Sequence, residues 1–349
     1  MRKTILGCLL TITLAACGGG GTPAAKKTGP PPPPRSSLTG LVVADPSVLK
    51  RPVLAIKVEN SEAARPQSGL DAADIVYEEL AEGGITRFIA LFESQDAPKV
   101  GPVRSARLVD PDILLEYNAM LAYSGAHHIV QAALIKSGIV LLSHGKVGSP
   151  TYYRSAKRYA PHNLYTSTAG LYKAAGDKGE PPPADLFQFS EQPPVLPSPQ
   201  PSGATPTPKP RPSSVSIGTS IRIPFSGNQT SIWKYDAAKD SYMRWQGSSR
   251  HKLEDGSQVA ARNVLLLFVR IGTTAIVDAA GHNSPDVEVI GHGKVVLYRN
   301  GLKVEGTWTR SSKSGRTKLL DLAGKPIVLA PGQTWVELVP NDVEVTTAQ

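Results

Sequence analysis

Cysteine is almost absent from the sequence: only Cys8 and Cys17 occur among 349 residues. Cys8 lies within a short apolar segment near the N-terminus. A chain that loses this segment keeps one thiol, which is too few for a disulfide framework or a zinc site built on thiolates. The folded part must therefore be stabilised by hydrophobic cores, and about 300 residues provide enough apolar surface for two of them.

A long hydrophobic segment is also missing at the N-terminus. The apolar run from Ile5 to Leu14 is about half as long as the roughly 20 residues that a membrane-spanning helix needs. Arg2 and Lys3 precede this run, and the small residues Ala15 and Ala16 follow it. This order of basic, apolar and small residues predicts that residues 1–16 are a signal peptide for export.

Leu14-Ala15-Ala16-Cys17 resembles the cleavage sites of bacterial lipoproteins. The resemblance implies that Cys17 becomes the first residue of the mature chain and carries a diacylglycerol with fatty acids such as palmitate. The expected location is the outer face of the cell membrane, with the lipid as the anchor. The alternative is an ordinary signal peptide that leaves Cys17 as a free, reactive thiol outside the cell.

Two proline-rich segments divide the rest of the chain. Residues 17–37 contain four consecutive glycines and five consecutive prolines, which predicts a tether to the membrane. Residues 191–214 include Pro193 to Ser214 and predict a linker that cannot form a packed core. The predicted domains are therefore residues 38–190 and 215–349.

The chain carries a formal net charge of +9. Three of its cations, Lys26, Lys27 and Arg35, lie in the tether, where each would add about 1 kcal/mol of attraction to an anionic membrane. A nucleic-acid partner is not expected, because export removes it and no basic helix is visible. The membrane, reached through the lipid, is the expected partner of this segment.

The first domain mixes predicted strands and helices. Asp110-Pro111 and Gly138 mark a helix start and a helix end, and Gly83-Gly84 predicts a two-residue hairpin turn. The predicted strands are 53–58, 75–82, 85–92, 120–123 and 139–142, and the predicted helices start at Asp110 or cover 128–137 and 168–175.

The second domain consists almost entirely of short apolar runs between turn residues such as Asn300-Gly301. The predicted strands are 221–225, 231–235, 242–246, 264–270, 287–291, 294–299, 303–308 and 334–338. Together the two domains predict an α+β protein, with a mixed α/β domain followed by a mostly β domain.

Several long blocks of the sequence resemble the YerB-type family of bacterial lipoproteins. They are "IKVENSEAARPQSGLDAADIVYEELAEGGITRFIALF", "GPVRSAR" and "RYAPHNLYTS" in the first domain, and "GKVVLYRNGLKVEGTW" and "PGQTWVELVP" in the second. They appear in the same order as in that family and cover almost all of residues 50–340. The resemblance implies a two-domain architecture and an envelope location. Both domains of that family are of unknown function, so no catalytic residue is transferred from it.

The hairpin provides the first candidate site. A two-residue turn at Gly83-Gly84 would place Glu78 and Glu82 on one face with Arg87, and Glu79 on the other. A cross-strand ion pair is the simpler interpretation of these charges. The alternative is acid–base or metal chemistry by the two carboxylates Glu78 and Glu82.

The segment Gly101 to Arg107 provides the second candidate site. Arg104, Ser105 and Arg107 lie in a loop just before the helix at Pro111. Guanidinium groups and the free N–H groups of a helix start both bind phosphate or carboxylate oxygens. The alternative is that Arg104 and Arg107 pair with Asp110, Glu78 or Glu82 inside the fold.

The third candidate site comprises Arg154, Arg158, His162 and Asn163, with several tyrosines nearby. Aromatic, arginine and asparagine side chains together are typical of a groove for a glycan or a peptide. His162 could act as a general base or could be a turn residue with a satisfied ring. His127 and His128 are adjacent and no HxH or HExxH pattern occurs, so neither a metal nor another cofactor is expected. Trp308 and Trp335 lie on apolar strands and are expected in the core.

Three functions are compatible with these patterns. The preferred one is a non-catalytic envelope module that binds an anionic wall polymer, a peptide or an exported protein through Arg104, Arg107, Arg154 and His162. The second is an enzyme that acts on peptidoglycan or on lipid-linked phosphate intermediates. The third is a structural scaffold.

Overall fold

The structure is a computed structural model that describes residues 33–197, 214–278 and 280–348. The predicted signal peptide, Cys17, most of the tether and the centre of the proline-rich linker lie outside these residues. The folded unit begins at Pro34, so residues 34–37, which the sequence assigns to the tether, are part of it. Ser36 is 2% exposed and donates a hydrogen bond to Glu93 at 3.0 Å, and Leu38 is fully buried.

The segment before the linker alternates strands and helices, as expected. The predicted helices 128–137 and 168–175 and the strand 120–123 have the bounds that the sequence indicated, whereas the last predicted strand begins two residues later, at Leu141. The strands are β1 Leu54–Glu59, β2 Ile75–Leu80, β3 Thr86–Phe92, β4 Met120–Tyr123, β5 Leu141–Ser143, β6 Tyr152–Arg154 and β7 Leu164–Thr166. The helices are α1 Asp110–Leu114, α2 His128–Ser137, α3 His144–Val147 and α4 Thr168–Ala175.

The segment after the linker is almost entirely β. Its strands are β8 Val215–Ile217, β9 Ser220–Pro224, β10 Thr230–Asp236, β11 Ser241–Gln246, β12 Ser249–Arg250, β13 Ala260–Ala261, β14 Asn263–Val269, β15 Ile271–Val277, β16 Asn283–Val287, β17 Gly291–Arg299, β18 Leu302–Arg310, β19 Lys318–Asp321, β20 Thr334–Pro340 and β21 Thr346–Ala348. The predicted strand 287–291 is wrong, since β16 ends at Val287. The turn at Asn300-Gly301 is confirmed, with φ angles of 53° and 72°. The α+β fold class is confirmed.

One large sheet contains strands from both segments. Its order is β19-β18-β17-β14-β20-β2-β3-β1-β4-β5, with β8 paired to β18. The two segments meet where β20 pairs with β2 in parallel. β14, β20 and β2 are parallel to one another, and so are β1, β4 and β5. Because β3 is antiparallel to both β2 and β1, all six of these strands run in the same direction. Their carboxyl ends therefore lie along one edge of the sheet.

The two hydrophobic cores lie on opposite faces of this sheet, because side chains alternate between the faces along each strand. One core contains Ala55, Tyr77 and Ile89, and the other contains Ile56, Val76 and Phe88. Each core also includes residues from β14, β17 and β20. The sequence therefore predicted the secondary structure of each segment, but it did not show that the segments share both cores.

The β2–β3 hairpin has a different register from the predicted one. Residues 82–84 form a 3-10 turn, and the Ala81 N–H donates to the Ile85 carbonyl at 2.8 Å. Glu79 consequently lies opposite Arg87, and Glu78 lies opposite Phe88. A shift of one residue exchanges the two faces of a strand. Glu79, rather than Glu78, therefore shares a face with Arg87.

Candidate functional site

Charged residues gather at the carboxyl edge of the parallel strands, on one face of the large sheet. We call Glu59, Glu82, Arg87, Arg104, Arg107 and His162 the edge cluster. Glu59 ends β1, Arg87 lies opposite it on β3, and Arg104 lies in a loop that pairs with β1. The Arg104 N–H donates to the Lys57 carbonyl at 2.9 Å, and the Arg104 carbonyl accepts from the Ser124 N–H after β4. In open α/β sheets, ligands bind at this edge.

The carboxylate of Glu59 joins two of the predicted site residues. Its oxygens lie 2.9 and 3.0 Å from Nδ1 of His162 and 3.4 Å from Nε of Arg104. The Ser61 hydroxyl also donates to it, at 2.7 Å. Glu59 is 1% exposed, whereas the side chains of His162 and Arg104 are 30% and 22% exposed. The carboxylate thus orients a histidine and an arginine that both reach solvent.

Glu82 organises the other half of the edge cluster. Its carboxylate forms ion pairs with Arg107 and, at 3.7 Å, with Arg87, and it accepts a hydrogen bond from Ser284 of β16. Arg87 also donates to the Ser105 carbonyl at 3.0 Å. The pairing of Arg107 with Glu82 matches one of the two alternatives for the Gly101–Arg107 loop. Arg104 instead pairs with Glu59, which the sequence did not indicate as a partner.

The helix start at Pro111 does not provide a free anion site. Helix α1 has five residues, and the Asp110 carboxylate accepts from the Arg107 N–H at 2.8 Å. The other oxygen of Asp110 accepts from the fully buried Lys57 at 2.7 Å, and Lys57 also pairs with Glu79. The N–H groups of this helix start are already bonded or absent, because Asp110 donates to the Arg107 carbonyl, Asp112 and Ile113 donate to the Val109 carbonyl, and Pro111 has no N–H. The helix start therefore leaves no free donor for an anion.

The three arginines of the edge cluster have neighbouring charges of both signs. Glu79 lies opposite Arg87, and Glu79, Lys57 and Asp110 form a buried group beside the edge cluster. Three arginines face the carboxylates of Glu59 and Glu82, and Nε of each arginine lacks a hydrogen-bond partner among the described residues. Burial, together with Arg107 and Arg104, lowers the pKa of Arg87 to about 9. Burial alone would raise the pKa of Glu82, but Arg107 and Ser284 reverse this and lower it. An arginine whose charge is disfavoured by its neighbours gains from an added anion.

The third candidate site is divided between two roles. Asn163 is buried, accepts from Arg154 at 2.7 Å, and donates to the carbonyls of Ser155 and Arg158. Arg158 donates to the carbonyls of Ala64 and Pro66. Asn163 and Arg158 therefore hold the backbone of this region, whereas Arg154 is exposed.

Ser105, the remaining residue of the second candidate site, lies near Ser124, with 3.5 Å between their hydroxyl oxygens.

A second group of charges is fully buried on the opposite face of the sheet. We call Glu78, Arg244, His251 and Glu337 the buried network. Arg244 donates to Glu78 at 2.6 Å and to Nδ1 of His251. Its guanidinium lies 5.2 to 5.7 Å from the ring centres of three aromatic side chains, Phe88, Trp233 and Trp335. Glu78 comes from the first segment and the other three residues come from the second.

Only one ion pair is present in the buried network. Burial and the neighbouring Glu78 raise the pKa of Glu337 well above its ordinary value, so this carboxyl group is protonated. It accepts from the indole N–H of Trp233 at 2.7 Å. Burial and Arg244 lower the pKa of His251 far below its ordinary value, so its ring is neutral. Because an arginine can only donate, Nδ1 of His251 accepts and its Nε2 donates to Gln67 at 2.8 Å.

Glu78 and Glu82 do not form a catalytic carboxylate pair. They point to opposite faces, where Glu78 pairs with Arg244 and Glu82 pairs with Arg107. Among the residues that the structure describes, no group of three or more metal-ligating side chains occurs. Trp308 and Trp335 are 3% and 0% exposed, which confirms their predicted place in the core.

The sequence did not identify Glu59, which connects His162 with Arg104, or Arg244 and Glu337. Each of these charged residues lies on a strand among apolar or aromatic neighbours. Charged residues are almost never fully buried unless they have a partner. A charged residue within an apolar strand therefore indicated a buried ion pair, although the sequence did not show which residue is the partner.

Two family profiles match the chain. The N-terminal domain of DUF3048, described as a protein of unknown function, matches residues 38–181, and the C-terminal domain of DUF3048 matches residues 221–336. The chain belongs to the DUF3048 family. The DUF3048 boundaries lie within the two predicted domains, although the large sheet runs through both.

The DUF3048 chain is similar to YerB of Bacillus subtilis (strain 168), a protein described as a lipoprotein. The two are 32% identical over 316 residues, which are 88% of this chain and 86% of YerB. The crystal structure of the YerB protein from Bacillus subtilis matches with a TM-score of 0.73 at 27% identity, and the match covers 90% of this chain and 99% of that one. The likeness to YerB supports a lipoprotein of unknown function, as residues 1–17 predict. In the described part of the chain, no helix is long and apolar enough to span a membrane.

Proposed function

We propose that this lipoprotein is held on the outer face of the cell membrane and binds an anionic ligand of the cell envelope at the edge cluster. The observation that carries the proposal is the position of three arginines, Arg87, Arg104 and Arg107, at the carboxyl edge of the parallel strands. Nε of each of them lacks a hydrogen-bond partner among the described residues.

Arg104 is the arginine best placed to contact a ligand. Neither of its terminal nitrogens has a hydrogen-bond partner among the described residues, and its side chain is partly exposed. A guanidinium group with two free N–H pairs matches two oxygens of a phosphate or a carboxylate. Arg87 and Arg107 lie behind it, and they would add positive potential without direct contact.

The predicted lipid anchor limits the possible ligands to molecules outside the cytoplasm. Phosphate or carboxylate groups occur there on wall polymers, on peptides and on exported proteins. A polymer with regularly spaced anionic groups fits a partly exposed cluster at a sheet edge better than a small ligand, which would be expected in an enclosed pocket.

Binding to wall material tests the proposal. The chain from residue 18 to 349 lacks only the signal peptide and the lipidated cysteine, and it retains all the described contacts. It should sediment with insoluble wall material that carries its phosphate-containing polymers, and inorganic pyrophosphate should compete. Arg104→Gln should weaken this binding by roughly 10-fold, the effect of one charge-assisted contact.

Arg222→Gln is the matched control, because Arg222 is an exposed arginine on β9, which is not part of the large sheet. It should bind like the wild type, and both variants should keep the wild-type melting temperature. Equal binding by the wild type and the Arg104→Gln variant would show that the edge cluster is not the ligand site.

The pair of Glu59 and His162 supports an enzyme as a second candidate function. A buried carboxylate that holds Nδ1 of a histidine leaves Nε2 able to accept a proton from water or from a substrate. His162→Gln should then abolish the release of soluble fragments from wall material while the melting temperature stays unchanged. Equal release of fragments by the wild type and by the His162→Gln variant would exclude this role for His162.

A further inference from the structure

The segment from Tyr153 to Pro161 comprises the last two residues of β6 and the loop that leads to β7, and it combines exposed aromatic rings with exposed cations. Tyr159 is 92% exposed and Tyr153 is 42% exposed. Arg154 and Lys157 are also exposed on the same loop. We call residues 153–161 the aromatic loop. A tyrosine ring that lies almost completely in water makes no contribution to the cores and is available to a ligand.

The aromatic loop is exposed but firmly held. The Ser155 N–H donates to the Asn163 carbonyl at 2.8 Å, and the His162 N–H donates to the Tyr159 carbonyl at 3.0 Å. The side chains of Asn163 and Arg158 add the hydrogen bonds described above, which tie the loop to itself and to residues 63–66. A preorganised loop presents its side chains to a ligand with a smaller loss of conformational entropy.

The aromatic loop is continuous with the edge cluster. It ends at Pro161, directly before His162, whose ring contacts the same carboxylate as Arg104. A ligand that binds Arg104 and extends past His162 would therefore meet the loop next.

We propose that the aromatic loop is a second subsite that stacks a sugar ring of an anionic polysaccharide, whose charged groups bind at the edge cluster. This inference rests on the proposed function and names its ligand class. Tyrosine presents a large amphipathic surface with little rotational freedom. Its ring can pack on the C–H face of a sugar, while Arg154 and Lys157 lie near the hydroxyl and anionic groups of the same chain.

A membrane surface is the other partner that tyrosines and cations could fit. Segments that insert into the membrane interface use tryptophan, phenylalanine and leucine on their apolar side. The aromatic loop contains none of these residues; its apolar residues besides the tyrosines are two alanines and Pro161. The composition therefore favours a polysaccharide over lipid.

Two probes separate the subsites. Purified wall glycan strands that carry anionic groups report on both subsites, and inorganic pyrophosphate reports on the edge cluster alone. Tyr159→Ser should weaken binding of the glycan strands by roughly 10-fold and leave pyrophosphate binding unchanged. Tyr159→Phe keeps the ring and should bind the strands like the wild type. Arg104→Gln should weaken the binding of both probes.

The possible outcomes distinguish the two proposals. Unchanged binding of glycan strands by Tyr159→Ser overturns the second subsite and leaves the edge cluster intact. Loss of binding in Tyr159→Ser together with full binding in Arg104→Gln overturns the edge cluster and supports the loop. Vesicles of phosphatidylglycerol provide the third measurement. If Tyr159→Ser loses only vesicle binding, the loop contacts the membrane and the polysaccharide subsite is wrong.

Discussion

Glu78 and Glu79 are neighbours on one strand, yet they belong to two differently built groups of charges. Glu79 lies beside the edge cluster, where Arg104 and His162 reach solvent. Glu78 belongs to the buried network, where Arg244 is fully enclosed by aromatic rings. Both groups pair arginines with glutamates. Only their access to water differs.

Because of this difference, charged groups of the edge cluster can bind a ligand, whereas those of the buried network serve only to hold the structure together. A charge that loses its partner at the edge cluster can be hydrated, whereas a charge that loses its partner in the buried network stays dry. In the buried network, Glu78 of the first segment pairs with Arg244 of the second. Beside it, Phe88 of the first segment packs against Trp335 of the second. The buried network therefore holds the two segments together, while the edge cluster remains available to a ligand.

The largest expected effect concerns the buried network. Arg244→Met removes the cation that pairs with Glu78 and should lower the free energy of unfolding by about 3–5 kcal/mol, the usual result of leaving a buried charge unpaired. Urea denaturation measures this change. The double variant Arg244→Met/Glu78→Met should recover much of the loss, since it removes both charges. A loss below about 1 kcal/mol in Arg244→Met would mean that Glu78 finds water or another donor.

The dependence of stability on pH sharpens the comparison. Burial raises the pKa of Glu93 to about 7, and it does the same for Glu79. The folded protein therefore holds these protons after the unfolded chain has released them. Their stabilising contribution is complete below the ordinary glutamate pKa of about 4.3 and is lost as the pH rises through about 7, by up to roughly 3 kcal/mol for Glu93.

Glu93→Gln tests this sign, because a neutral side chain cannot lose a proton. Its free energy of unfolding should fall less than that of the wild type between about pH 5 and about pH 8. Glu82 should behave in the opposite way. Since Arg107 and Ser284 lower its pKa despite its burial, its contribution is present above the ordinary glutamate pKa and is lost on acidification. Parallel curves for Glu93→Gln and the wild type would contradict the expected shift.

A smaller effect is expected at the edge cluster. Glu59→Gln removes the carboxylate that Arg104 and His162 share, but both of those side chains can be hydrated. The loss of stability should be about 1 kcal/mol, as for a partly exposed ion pair. Thermal denaturation of Glu59→Gln and of Arg244→Met under the same conditions compares the two losses of stability. A loss as large as that of Arg244→Met would show that the edge cluster is a structural joint as well.

The same contrast explains what the sequence could predict. The α+β class, helices α2 and α4 and the turn at Asn300-Gly301 depend on local periodicity and on turn residues, which the sequence carries directly. The hairpin register depends on whether two or three residues form the turn. Glycines alone did not decide this, and the error of one residue exchanged the faces of Glu78 and Glu79.

The candidate site was predicted in its residues more than in its contacts. Arg104, Arg107 and His162 were selected for their chemistry, and the structure brings all three to one edge of the sheet. Their partners are far away in the sequence: Glu59 is 103 residues from His162, and Glu78 is 166 residues from Arg244. The pair of Glu78 and Arg244 joins the two segments, as the parallel pairing of β2 with β20 also does, and no local pattern in one sequence specifies such contacts.

The smallest expected effect lies within the buried network itself. Because burial and Glu78 keep Glu337 protonated, Glu337→Gln replaces one neutral group by another of the same shape. The amide oxygen can still accept from the Trp233 indole, whose nitrogen lies 2.7 Å from the present acceptor. The change in the free energy of unfolding should stay below about 1 kcal/mol, in contrast to Arg244→Met. Urea denaturation at neutral pH measures it, with Glu337→Ala as the variant that removes the acceptor. A loss of several kcal/mol in Glu337→Gln would mean that Glu337 is ionised and that Arg244 is shared between two carboxylates.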